Sequence, residues 1–151
     1  MAMSLKGQIT EDMKSAMKAG EKDRLKVVRL MLAAIKQIEV DTREDLDEAA
    51  VLTVLTKMVK QRRDSVEQFE QGNREDLAAI ERAEIVILDT YLPEQLSADE
   101  LAVMIDKVIQ ATGASGIRDM GKVMGQIKVK ASGRADMGAV SALIKERLNA
   151  D

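Results

Sequence analysis

Apolar residues recur every three to four positions along almost the whole chain and never alternate for long, a pattern that predicts helices throughout. Ile9, Met13, Ala16 and Met17 fall on one side of a first helix, about Ser4 to Lys18, and Gly20 stands where a helix C-cap is wanted. Val28, Met31, Leu32, Ile35 and Ile38 mark a second, about Lys22 to Val40. The charged stretch 41–47 reads as a solvated turn, with Asp47 as N-cap of a third helix, about Glu48 to Gln71. Its stripe is Val51, Leu55, Met58, Arg62, Val66 and Phe69, and Gly72 ends it. Asn73 and Asp76 resemble a capping-box start for a fourth helix, with Leu77, Ile80, Glu84 and Leu88 in its stripe and Ile85 and Ile87 beside it.

Pro93, the only proline, breaks the chain and places a domain boundary there. Ser97-x-x-Glu100 is a capping box opening a fifth helix, whose buried face is Leu101, Met104, Ile105, Val108 and Ile109. Gly113 and Gly116 bracket a turn before a sixth helix, about Arg118 to Val129. Ser132-Gly133 ends it, and Asp136 caps a seventh helix bearing Val140, Leu143, Ile144 and Leu148. The expectation is an all-α chain: an N-terminal domain of about four helices over residues 1–93 and a small three-helix domain over 94–151.

Composition narrows what such a chain can do. Hydrophobic residues make up 46% and charged residues 32%, enough for packed cores under a solvated surface. With one Phe, one Tyr and no Trp, those cores must be filled by aliphatic residues and the ten Met. Without cysteine there is no disulfide or thiolate chemistry, and without histidine there is no ordinary general base or His-based triad. No apolar stretch has signal-peptide or membrane-spanning length, so the chain reads as cytoplasmic with no membrane partner. Met1-Ala2 reads as a short extension ahead of a natural start at Met3. Net charge is −3, which argues against a general polyanion binder, yet residues 116–147 carry seven basic residues against three acids, a local +4.

Three features could carry function. Arg62 and Glu84 interrupt apolar stripes, and a buried charge is costly unless paired, so a structural ion pair between them (or from Arg62 to Glu81) is expected. Lys57, Lys60 and Arg63 form a second basic face on the third helix, though Asp64 and Glu67 adjoin it. Gly121-x-x-x-Gly125 places two glycines one turn apart inside a helix, at roughly 1 kcal/mol each relative to alanine. Either a neighbouring helix or a sugar–phosphate backbone comes close there, the latter with Lys122, Lys128, Lys130 and Arg134 alongside. No catalytic constellation, metal spacing or cofactor loop emerges, so no catalytic residue, metal or cofactor is expected.

Lys57-Met58-Val59-Lys60-Gln61-Arg62-Arg63-Asp64-Ser65, Arg74-x-Asp76-Leu77-Ala78 and Tyr91-Leu92-Pro93 resemble motifs of the YqeY family. Asp119-Met120-Gly121-Lys122-Val123-Met124-Gly125 and Gly133-Arg134-Ala135-Asp136 resemble its C-terminal signature, except that Met137 stands where the family commonly has Gly. The resemblance implies a C-terminal domain similar to the tail of the tRNA amidotransferase B subunit, which recognises tRNA while other subunits carry out the carbon–nitrogen ligation. Gly121, Lys122, Gly125, Lys128 and Arg134 are the positions onto which such a role carries over. The leading expectation is a noncatalytic module for tRNA or an aminoacyl-tRNA complex. Two alternatives stand beside it: an adaptor binding another protein through a Met-rich helical groove, and an accessory to an amidotransferase.

Overall fold

The computed structural model describes residues 3–149. Among them it is all-α, with seven helices, one 3-10 turn and no strand. The chain divides into two compact units after Pro93. Met1 and Ala2, read above as an extension, lie outside the described residues.

In the first unit, α1 (Leu5–Ala19) starts at Ser4, whose hydroxyl accepts from the Gly7 N–H, and ends at Gly20 with φ +69°. The left-handed turn there costs a glycine nothing. α2 spans Lys22–Thr42, α3 Glu48–Gln71 and α4 Glu75–Asp89. Asp47 caps α3 by accepting from Ala50. Ile9, Met31, Ile35, Leu55 and Leu88 are fully buried and tie all four helices into one core, each worth about 1.5–3 kcal/mol on burial. Tyr91 closes it, its ring buried and its hydroxyl donating to Asp12 Oδ2 at 2.5 Å. Burial first, and then that carboxylate, hold the Tyr91 hydroxyl above its ordinary pKa.

Four expectations for this unit change, the first being Met17, which is exposed and not on the buried side of α1. Ile38 is exposed and Glu39 takes the buried position beside it. Lys6 Nζ grips both Glu39 oxygens at 2.8 and 2.9 Å, and the Leu46 N–H donates to Oε2 at 3.0 Å, which satisfies the carboxylate inside the fold. Ile80 is exposed, because the core face of α4 runs through Ala78, Ile85 and Leu88. Asn73 does not cap α4. It takes the left-handed turn after Gly72 (φ +59°), and Arg74 precedes the helix with its guanidinium on Asp76.

The second unit opens with α5 (Ala98–Thr112). Its capping box is complete: the Ser97 hydroxyl accepts from the Glu100 N–H at 3.1 Å, and the Glu100 carboxylate accepts from the Ser97 N–H at 3.2 Å. A 3-10 turn, Ile117–Asp119, precedes α6 (Met120–Ala131), so the sixth helix begins two residues later than its pattern implied. Asp119 explains the tight entry: its Oδ2 accepts from the Ser115 N–H at 3.0 Å and folds the turn back on itself. α7 is Met137–Leu148, capped by Asp136 onto Gly138 at 3.2 Å. Ile105, Val123, Ile127, Val140 and Ile144 form the core.

The methionines do not make an exposed groove. Met104, Met120, Met124 and Met137 pack against the second core, and among the described residues only Met3 and Met17 are exposed. The aromatic-poor cores consume them as filler, which removes the basis for a Met-rich docking surface.

Candidate nucleic-acid interface

α6 presents its core side through Val123, Ile127 and Ala131 and its opposite side to solvent. At about 100° per residue, Lys128, Gly121, Gly125, Val129 and Lys122 fall in that order across roughly 120° of the solvent side. All five are exposed. Among the described residues, a Cβ built on Gly121 or Gly125 would meet no atom within 4 Å outside its chain neighbours and the adjoining backbone of α6. The glycines therefore do not admit a neighbouring helix of this chain. They leave a bare strip of backbone with a lysine on either edge. Arg118, exposed in the preceding turn, extends the positive edge. Asp119 faces inward to Ser115, and that N–H, followed by Lys122 and Arg118, holds its carboxyl below the ordinary range.

The remaining predicted residues lie elsewhere. Lys130 is exposed but sits about 140° around the helix from Gly125. Arg134 works as a tie. Its Nε donates to the Glu94 carbonyl at 3.0 Å, and its own carbonyl accepts from Leu96 at 2.8 Å. Gln95 adds a bond to the Gly133 carbonyl at 2.7 Å, so the loop at 133–134 fastens the segment leading into α5. Gly133 holds φ +75° while buried, which accounts for a glycine before Arg134.

On α3, Lys57, Lys60 and Arg63 are exposed. By helical spacing Asp64 falls between the first two and Glu67 between the last two, so the face is of mixed sign. Arg62 turns the other way. Its Nε donates to Glu84 Oε2 at 3.2 Å and its Nη1 to the Met58 carbonyl at 3.2 Å. The two side chains are 13% and 12% exposed, and Lys26 reaches the other Glu84 oxygen at 3.5 Å. Lys26 had given no signal in the sequence, because nothing in its helix marks it as the partner of a residue 58 positions away.

These features define a class before they define a family: an all-α chain with an open basic helix and no helix among the described residues long and apolar enough to cross a membrane. The chain belongs to the YqeY-like protein family, whose family model matches residues 6–148. Relatives similar to it carry the name altered inheritance of mitochondria protein 41, mitochondrial. That of Kluyveromyces lactis is 32% identical over 151 residues, covering 91% of this chain and 80% of the relative. That of Eremothecium gossypii is 32% identical, covering 79% and 67%. That of Lachancea thermotolerans is 38% identical over 96 residues, covering 63% of this chain and 51% of the relative, about half its length. The relatives' names overturn the cytoplasmic expectation. The lack of an apolar stretch separates chains that cross membranes from those that do not, and is silent on which aqueous compartment a chain occupies.

Proposed function

We propose that this chain is a noncatalytic RNA-binding module that grips a sugar–phosphate backbone along α6, with tRNA or an aminoacyl-tRNA complex as its ligand. The observation that carries the reading is the open strip at Gly121 and Gly125 between Lys122 and Lys128. Two helical glycines cost stability, and among the described residues no atom outside the backbone of α6 comes near enough to account for them. A phosphate chain lying on the strip would meet backbone at close range and an ammonium on each side. The second unit contains no Phe, Tyr or Trp, so there is no ring on which a base could stack. Recognition by this face is therefore of backbone and shape, and tRNA is chosen among RNAs only on what the resemblance of the C-terminal motifs to the family's signature implies.

The test is a fluorescence-anisotropy titration of labelled tRNA at about 50 mM salt. Wild-type chain is expected to bind, and Lys122→Glu/Lys128→Glu to lose binding while keeping its helical circular dichroism. Lys57→Glu/Arg63→Glu is expected to bind as wild type. Loss in that second variant alone moves the interface to α3, and no binding by the wild type removes the RNA reading altogether.

A further inference from the structure

The first unit has a second open surface that the RNA reading does not use. On α4, Ala79, Ile80, Ala83 and Val86 fall within about 120° of arc away from the face that enters the core, and Ile87, half-buried and packed against the core, lies within the same arc. Ile80 is 52% exposed and Val86 65%, with Ala79 and Ala83 exposed between them, and the charge inside that arc is Asp76 in the first turn, paired with Arg74. Between this face and α2 lies a cleft of about 410 Å³, walled by Ala79, Ile80, Ala83 and Ile87, with Asp23, Lys26 and Glu84 at its border.

The cleft's own border carries Asp23 and Glu84 against Lys26, and further cations gather beside it on α2 although the unit as a whole is acidic. Lys22, Lys26 and Arg29 recur at i, i+4 and i+7 on the solvent side of α2, and all are exposed. They line a second depression on the same helix, beside Leu25, Leu30 and Ala33, which shares Lys26 with the cleft. Glu84 is already held by Arg62 and Lys26. That leaves Asp23 as the one other acid on either lining, against Lys22 and Arg29.

We infer that this cleft docks an amphipathic helix of a partner protein, whose apolar residues enter the alanine-floored wall and whose flanking Asp or Glu meet Lys22 and Arg29. The alanines set the fit: with only a methyl at 79 and 83, a second helix can approach α4 closely, and Ile80 and Ile87 give it ridges to seat between. The exposed cations set the sign of the partner's charge. A nucleic acid is the poorer occupant, because phosphates would lie against Ile80 and Val86 and no aromatic ring is present to receive a base.

The probe is a displayed library of 18-residue helical peptides, randomised on one face and selected against the full chain. Enriched peptides are expected to carry apolar residues at i, i+4 and i+7 with acidic neighbours. Ala83→Gln, which fills the cleft with a polar side chain of good helix propensity, should weaken them at least tenfold. Lys22→Glu/Arg29→Glu should do the same, and both variants should retain wild-type circular dichroism. Absence of enrichment, enrichment of basic peptides, or peptides indifferent to both variants overturns the inference. Sedimentation supplies the remaining arm: self-association abolished by Ala83→Gln would assign the cleft to a second copy. Binding of oligouridylate lost in Lys22→Glu/Arg29→Glu but kept in Ala83→Gln would assign it to nucleic acid. Either result refutes the partner helix. The α6 titration is independent of all these outcomes, since none of the variants touches the second unit.

Discussion

Arg62 and Glu84 occupy apolar positions on two facing helices, so each depends on the other to remain there. Removing Arg62 leaves Glu84 nearly buried with only the exposed Lys26 at 3.5 Å. Arg62→Ala is therefore expected to cost about 2 kcal/mol by urea denaturation, below the roughly 3–5 kcal/mol of a fully orphaned charge, because Lys26 softens the loss. Arg62→Met/Glu84→Leu, which removes both charges at similar volume, should fall within about 1 kcal/mol of wild type. Equal losses in both variants would mean the cost is one of packing and not of charge. Glu39 makes a different prediction. The Lys6 ammonium and the Leu46 N–H lower its pKa in the folded state below the ordinary carboxylate value of about 4.3. A lowered folded pKa means the unfolded chain takes up the proton first, so the stabilisation is complete above about pH 4.3 and disappears as pH falls through the folded pKa. Glu39→Gln should be less stable at pH 7 and should lose less of its thermal midpoint between pH 6 and pH 3.5. Parallel curves for the two proteins would place the acid sensitivity in other carboxylates.

Among the elements, those with local punctuation were legible from sequence. Asp47, Ser97, Gly20 and Gly113 sit at helix ends where their own backbone or side chain makes the cap, so the information is local. The rotational phase of α2 and α4 was not legible. Both carry apolar residues on more than one side, and only the packing partner chooses which side is buried. Ile38 and Ile80 consequently emerged into solvent while Glu39, whose partner Lys6 lies 33 residues away, went inside. The spacing of Gly121 and Gly125 was visible, but whether anything covered them was not, and Arg134 looked like a ligand contact because a backbone tie leaves no trace in sequence. The glycines of this element make a paired prediction. Gly125→Ala should stabilise the second unit by up to about 1 kcal/mol, since among the described residues its methyl meets nothing within 4 Å outside its chain neighbours and the adjoining backbone of α6. Gly133→Ala should destabilise it by about 1 kcal/mol or more, since φ is +75° there. Thermal midpoints of the two variants check this, and destabilisation by Gly125→Ala would show that the strip is packed in solution.

At the scale of the whole molecule, a net charge of −3 repels a polyanion, and binding has to come from the few cations that α6 and its leading turn bring forward. Arg118, Lys122 and Lys128 remain after Arg134 is assigned to the backbone tie and Lys130 to another side of the helix. Three cations can neutralise about three phosphates. Counterion release then sets the logarithmic salt slope at about −2 for single-stranded RNA and nearer −3 for a duplex stem. Raising salt from about 50 to 200 mM should thus weaken tRNA binding roughly 20- to 40-fold, against the thousandfold or more shown by proteins that hold six to ten phosphates. The slope reports how many cations act, and so it tests the site without knowing the RNA. A slope near zero would mean that α6 binds through its bare backbone and Val129, as a protein partner would. A slope of about −6 would enlist the exposed lysines of α2 or α3 as well. If Lys122→Glu/Lys128→Glu removes binding and a single neutralisation, Lys122→Gln, lowers the slope by about one, the phosphates are met one by one along the glycine strip.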